Sequence, residues 1–253
     1  MRVTLLGTGF PRPSPNRRGP SQLVSIGVSP LEVHHVLITH HHSDHTIDLG
    51  HLLLTRWIMG QNAPLHVWGP SGTRRYVDDL LRLHDYDIQV RRHHQDRRPG
   101  PGVEVHEIVP GVLYDSSGVR ITAFLVEHFP VEPAFGFRFD GPERSVAISG
   151  DTRPCENLIA HCRGVDVLIH ECTDVTKLPL NPGGGYPSRE VQVARLASYH
   201  TLPDQVGKVA ARAEARTLIL SHLTHLTDPA ELQRVVAKDF GGRIIVGEDL
   251  MEG

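Results

Sequence analysis

The densest chemistry in the sequence is the run Thr39-His40-His41-His42-Ser43-Asp44-His45. It stands where a short apolar strand, Val36-Leu37-Ile38, gives way to a stretch with helical spacing. Neutral imidazoles and carboxylates are the ordinary ligands of zinc and related divalent ions. Side chains one residue apart can converge from a bent loop, so His40 and His42 can share one ion while Asp44 and His45 point at a second. The chain holds 18 histidines, and abundance alone says little, because histidine also serves on surfaces and in cores. Position decides, and this cluster sits at a strand end, where a chance surface tract is the bland alternative.

The elements that must carry these residues follow from periodicity and turn signals. The N-terminal half reads as short strands at 3–6, 22–26 and 36–39, separated by turn clusters such as Pro11-Arg12-Pro13-Ser14-Pro15-Asn16. Helical spacing over 44–59 is followed by a strand at 65–68 and a helix at 71–83. From 103 to 148 the pattern is mostly strands, clearest at 119–126, 135–139 and 145–148. The last third alternates helices (156–161, 189–199, 204–213, 229–239) with strands (165–169, 217–220, 243–246). A β-rich half followed by an α/β half predicts two sheets with helices outside: an α/β chain forming a four-layer αββα sandwich, as one domain over 1–253.

The histidine run resembles the His-x-His-x-Asp-His signature of the metallo-β-lactamase superfamily, whose members share that sandwich. Leu5-Leu6-Gly7-Thr8-Gly9, with Pro13-Ser14 and Arg17, resembles the opening of the ribonuclease Z (transfer-RNA 3′-processing) and arylsulfatase-like branch. The resemblance implies three more ligands: His128, ahead of a Gly-aromatic strand; Asp151, in Ser149-Gly150-Asp151-Thr152; and His222, in Ser221-His222-Leu223. It implies one ion on His40, His42 and His128, another on Asp44, His45 and His222, and Asp151 shared, since a carboxylate can bridge ions about 3.5–4 Å apart. Two Zn2+ are the expected cofactors, with Mn2+ or Fe2+ as alternatives. His170-Glu171-Cys172-Thr173 resembles the family's His-Glu-Ala-Thr motif, and His200-Thr201 its His-Ser-Thr motif without the serine. By that likeness Glu171 orients and charges His200, which protonates the leaving oxygen, while Asp44 holds the nucleophile's proton. The bland reading has Glu171 closing a strand and His200 closing a helix. His225 is read as a neighbour or surface residue.

Composition narrows the function classes. A net charge of -3 argues against reliance on a broad basic surface for nucleic acid, and the local cluster from Arg91 to Arg98 reads as a solvated loop. No apolar run approaches the roughly 20 residues of a membrane helix. The three cysteines (Cys155, Cys162, Cys172) form no Cys-x-x-Cys pair, and nothing marks the N-terminus for export, so the cytoplasm is the expected location.

Two departures from the family bear on substrate. Ribonuclease Z carries a long arm that grips transfer RNA between its third histidine motif and the bridging aspartate, and the short interval from His128 to Asp151 has no room for it. After Leu23-Val24-Ser25-Ile26-Gly27, roughly one β-α unit found in relatives is missing. The expected reaction is therefore hydrolysis of a small phosphodiester or related ester, sulfate ester or lactone by a hydroxide bridging the ions. Transfer-RNA 3′ processing is the alternative, and a non-catalytic metal-binding protein the second. The segment 179–187 and the region from Trp57 to Gln61 are expected to shape the pocket. The resemblance also implies a homodimer.

Overall fold

A computed structural model describes residues 2–9, 21–25, 29–96, 99–178 and 187–252. In chain order the elements are β1 (Arg2–Gly7), β2 (Ser21–Ser25), β3 (His35–Leu37), α1 (Ser43–Thr46), α2 (Leu49–Ile58), β4 (Leu65–Gly69), α3 (Thr73–Leu83), α4 (Asp85–His94) and β5 (Val103–Glu107). Then come β6 (Gly111–Ser116), β7 (Val119–Val126), β8 (Ala134–Asp140), β9 (Ser145–Ile148), α5 (Glu156–His161) and β10 (Val167–Glu171). The chain finishes with α6 (Arg189–Ala197), α7 (Pro203–Arg212), β11 (Thr217–Ser221), α8 (Pro229–Val236), β12 (Arg243–Val246) and β13 (Met251–Glu252). These residues fall into two compact units, Met1–Ser25 with Pro110–Gly253, and Ile26–Val109.

The larger unit holds a seven-stranded sheet in the order β12-β11-β10-β9-β8-β7-β6. Strands β9 to β12 run parallel, while β8 pairs antiparallel with both β7 and β9. Two reversals return β7 to the direction of β9, so β7, β9, β10 and β11 all end at the same edge. Loops following the carboxyl ends of parallel strands are where open α/β sheets gather chemistry. One face of this sheet is sealed by helices: Leu158 and Ile159 of α5, Val206 and Val209 of α7, and Leu232 and Val236 of α8 form a core with Phe124, Leu168, Leu218 and Leu220. Local signals fix the helix starts. Asp228 accepts the Ala230 N–H ahead of Pro229 in α8, a capped terminus with proline in its first turn. Gly136 of β8 lies opposite Phe124, and a Cβ there would stand 2.5 Å from the Phe124 ring, so the position tolerates no side chain. A second sheet, β13-β1-β2, joins the chain's two ends, with Thr4 opposite Glu252.

The smaller unit holds the parallel sheet β3-β4-β5. Its strands alternate as a half-covered sheet should: Leu65, Val67 and Val105 point into a core with Ile38, Leu49, Leu53 and Val77, and His66 and Trp68 point the other way.

Two expectations need correction. The helical stretch 44–59 is two helices, with residues 47 and 48 between them. Arg91 to His94 are not loop: they form the last turn of α4, whose first turn carries Asp85 and Asp87, the charge order a helix dipole favours. Trp57 is 5% exposed, with its indole N–H donating to the Pro99 carbonyl at 3.1 Å. The opening motif at Pro13, Ser14 and Arg17, and all but the last residue of the segment 179–187, lie outside the described residues. Among those described, no helix is long and apolar enough to cross a membrane.

All three cysteines are free thiols and buried. Burial pushes the Cys162 thiol up to about 12 and Cys172 well above its usual value, so neither offers a thiolate at neutral pH. A thiol-disulfide reagent is expected to find no cysteine in the native protein at pH 8 and all three once it is unfolded in guanidinium; rapid native reaction would contradict the packing.

Candidate active site

In the larger unit the strand ends place five side chains together. His128 follows β7, Asp151 follows β9, Glu171 is the last residue of β10, His222 follows β11, and His200 precedes α7. Each is at most 4% exposed. The Asp151 Oδ2 lies 3.2 Å from His222 Nε2 and 3.9 Å from His128 Nε2. One donor atom from each of Asp151, His200 and His222 falls within 4.8 Å of the others. The backbone bends to achieve this: Gly150 has φ 63° and His222 φ 58°. That left-handed conformation is rare for a residue with a side chain and collects at functional positions.

The other nitrogen of each ring settles what Nε2 can do. His128 Nδ1 is 3.1 Å from the Tyr199 carbonyl, which only accepts, so Nδ1 carries the proton and Nε2 keeps its lone pair. His200 Nδ1 sits 2.9 and 3.0 Å from the two Glu171 oxygens and donates to them. The Thr173 hydroxyl donates to Glu171 Oε2 at 3.1 Å and lies 3.1 Å from His222 Nδ1. With its one proton given to the carboxylate, that hydroxyl must accept from His222 Nδ1–H, which again leaves Nε2 bare. Metal-binding histidines are fixed in this way by partners behind them. Burial holds the His128 imidazole below its ordinary value, against the pull of Asp151. Glu171 also accepts the Thr152 N–H at 2.6 Å.

In the smaller unit, His40 lies just past the end of β3 and is fully buried. Its Nε2 is 3.0 Å from His42 Nδ1, and its Nδ1 is 3.0 Å from the Thr39 hydroxyl. His45 Nε2 is 3.3 Å from Asp44 Oδ2, and the His40 and His45 rings lie 4.2 Å apart. His41 leaves the cluster, meeting the Thr73 hydroxyl at 2.9 Å and stacking on Tyr76. A buried imidazole held from behind by Thr39, with two half-buried imidazoles and a carboxylate beside it, is a donor set that fits divalent metal ions. His225 is exposed. Thr152, Thr173 and Tyr199, which position the others, carry no signal of their own in the sequence, although all three adjoin or lie within the quoted motifs.

Comparison with known proteins agrees with this geometry. A family model described as "Beta-lactamase superfamily domain" matches residues 12–223. The chain is 34% identical over 280 residues to a protein named ribonuclease Z from Mycobacterium bovis BCG, covering 99% of this chain and 96% of the relative. It is 35% identical over 277 residues to one of the same name from Mycobacterium marinum, with 99% and 97% covered. Both alignments are longer than the chain's 253 residues, so these relatives carry segments that it lacks. Among solved structures, the metallo-β-lactamase fold protein YhfI of Bacillus subtilis superposes with a TM-score of 0.72 at 18% identity, covering 100% of this chain and 98% of that one. Human tRNase Z, short form, gives 0.71 at 21% identity, with 100% and 98% covered. These likenesses establish the fold as the α/β metallo-β-lactamase fold.

Replacing Thr173 with valine removes the hydroxyl that fixes the His222 tautomer while keeping the side chain's shape. Affinity for divalent metal is expected to fall about 10–100-fold, the usual effect of losing such a partner. Equilibrium dialysis followed by metal analysis checks this, and unchanged affinity would count against the tautomer argument.

Proposed function

Because the chain belongs to the metallo-β-lactamase superfamily, in its ribonuclease Z branch, we propose that it is an endoribonuclease that cuts a phosphodiester bond at the 3′ end of precursor transfer RNA. It is a metal-dependent hydrolase of ester bonds, and the observation that supports the finer reading is the near-complete coverage of relatives named for that activity. This reverses the preference for a small ester that the missing arm suggested.

In this reading His40, His42 and His128 would hold one divalent ion and Asp44, His45 and His222 a second, with Asp151 as the carboxylate common to the two sets. Zinc is the first expectation, with manganese or iron as alternatives. When bound, such ions supply an activated water and stabilise the charge that develops on the phosphoryl oxygens. Asp44 accepts the proton of the attacking water. His200, stacked 5.4 Å from His222, turns Nε2 away from Glu171, and the carboxylate behind Nδ1 favours the protonated ring. That proton is then available to the leaving oxygen. The single domain and the homodimer expected of the chain belong to the same reading.

One observation favours a second reading, a small phosphodiester as substrate. The interval from His128 to Asp151 is filled by β8, β9 and short turns, so no arm projects there.

The test is hydrolysis by metal-analysed protein of a precursor transfer RNA, a phosphodiester, a sulfate ester and a lactone. Clean 3′ cleavage of the RNA is expected, abolished by chelation and by Asp151→Ala, and reduced about 10²–10⁴-fold by His200→Ala. Turnover of small esters alone would transfer the assignment to the second reading, and full activity of Asp151→Ala would overturn both.

A further inference from the structure

The smaller unit carries a second group of metal-ligating side chains, built on the face of β3-β4-β5 turned away from its apolar core. Parallel register sets His35 beside His66, His66 beside Glu104, and Trp68 beside His106. The rings form a continuous stack: His35 on His66 at 5.0 Å, His66 on His106 at 5.5 Å, and His106 on Trp68 at 4.0 Å. The Trp68 indole N–H donates to His35 Nδ1 at 3.2 Å, which ties the outer ring to the stack. His66 and His106 are thus held by strand register and by stacking.

The donor atoms are spaced for an ion. His66 Nδ1 lies 3.2 Å from His106 Nε2 and 3.4 Å from Glu104 Oε2, and one donor atom from each of the three falls within 4.8 Å of the others. Zinc–nitrogen bonds of about 2.0–2.1 Å at tetrahedral angles put neighbouring ligands about 3.3 Å apart, which is the spacing seen. The bland account is a surface ion pair with an imidazole–imidazole hydrogen bond. In that account one ring nitrogen donates to the other and the exposed carboxylate is left to water, whereas one cation takes a lone pair from each of the three. The His66 side chain is 30% exposed and that of Glu104 56%, so water can complete the coordination and an ion can enter without any opening of the fold.

We propose that His66, Glu104 and His106 bind a divalent transition-metal ion, zinc in the first instance, at a site sharing no residue with the cluster of residues 40–45. Two imidazoles and a carboxylate suit zinc, copper and nickel more than magnesium or calcium, which prefer all-oxygen shells. The site joins β4 to β5 and does not depend on the reaction proposed above.

Zinc alone is the probe. The full-length chain and its His66→Ala/His106→Ala variant are dialysed against buffered zinc and analysed for bound metal. In parallel, histidine modification by diethyl pyrocarbonate is mapped by peptide mass with and without zinc. The wild type is expected to hold one zinc per chain more than the double variant, and Glu104→Gln to release that zinc at lower competitor concentration than the wild type does. Zinc is expected to protect His66 and His106 from modification. Equal zinc content in wild type and a folded double variant, or equal modification of both histidines with and without zinc, would overturn the proposal. Should the double variant fail to fold, the protection measured on the wild type decides alone.

Discussion

A carboxylate withdrawn from water has to be neutralised and hydrogen-bonded where it stands, and Glu171, 3% exposed, is such a group in the larger unit. Its partners come from three separate segments: the Thr152 N–H from the loop after β9, the Thr173 hydroxyl from just beyond β10, and His200 from the connection between α6 and α7. Meeting the demand of one buried charge draws all three together. Two further bonds lock them, Thr201 hydroxyl to the Thr152 carbonyl at 2.6 Å and Thr173 N–H to the Thr201 carbonyl at 3.0 Å. The Tyr199 carbonyl, next to His200, then reaches His128, so a ring three strands earlier in the chain owes its tautomer to the same charge.

Much of this architecture was legible because its period is written in side chains. The strands at 119–126 and 145–148 have the bounds that their apolar runs predict, since each is paired on both edges within the seven-stranded sheet. Helix α4 was not legible: Ile88 is its one buried residue, and a helix with so narrow an apolar stripe reads as a solvated loop. The break between α1 and α2 was hidden for another reason: α1 is a single polar turn, Ser43-Asp44-His45-Thr46, and neither residue 47 nor residue 48 is the glycine or proline that would mark a stop before the apolar start of α2.

The site divides along similar lines. The residues gathered at the strand ends stand in recognisable motifs, and resemblance pointed to them. The signature already leaves His41 out of the run His40-His41-His42, but the neighbours that take it, Thr73 and Tyr76, lie too far along the chain to be named from it. Thr152, Thr173 and Tyr199 act through a backbone N–H, a hydroxyl and a carbonyl, groups that many residue types supply, so residue type alone marks none of them. The inference from the missing arm was weak for a related reason: a fold positions a reacting centre, while the surface that recognises a large substrate can be supplied by other segments.

The pairing of β1 with β13 has a consequence for how the chain comes to be folded. During synthesis β1 emerges long before its neighbour at Met251–Glu252, and long before Asp249, which accepts the Thr8 N–H and hydroxyl at 2.9 and 2.8 Å. Residues 26–109 can collapse on contacts close in sequence, whereas β1 must keep one edge unsatisfied until β13 has been made. The entropy of closing so long a loop rises only slowly with its length, so the delay is a matter of time more than of stability. It makes the N-terminal strand, of all the segments in the larger unit, the one most exposed to wrong partners while the chain is being made.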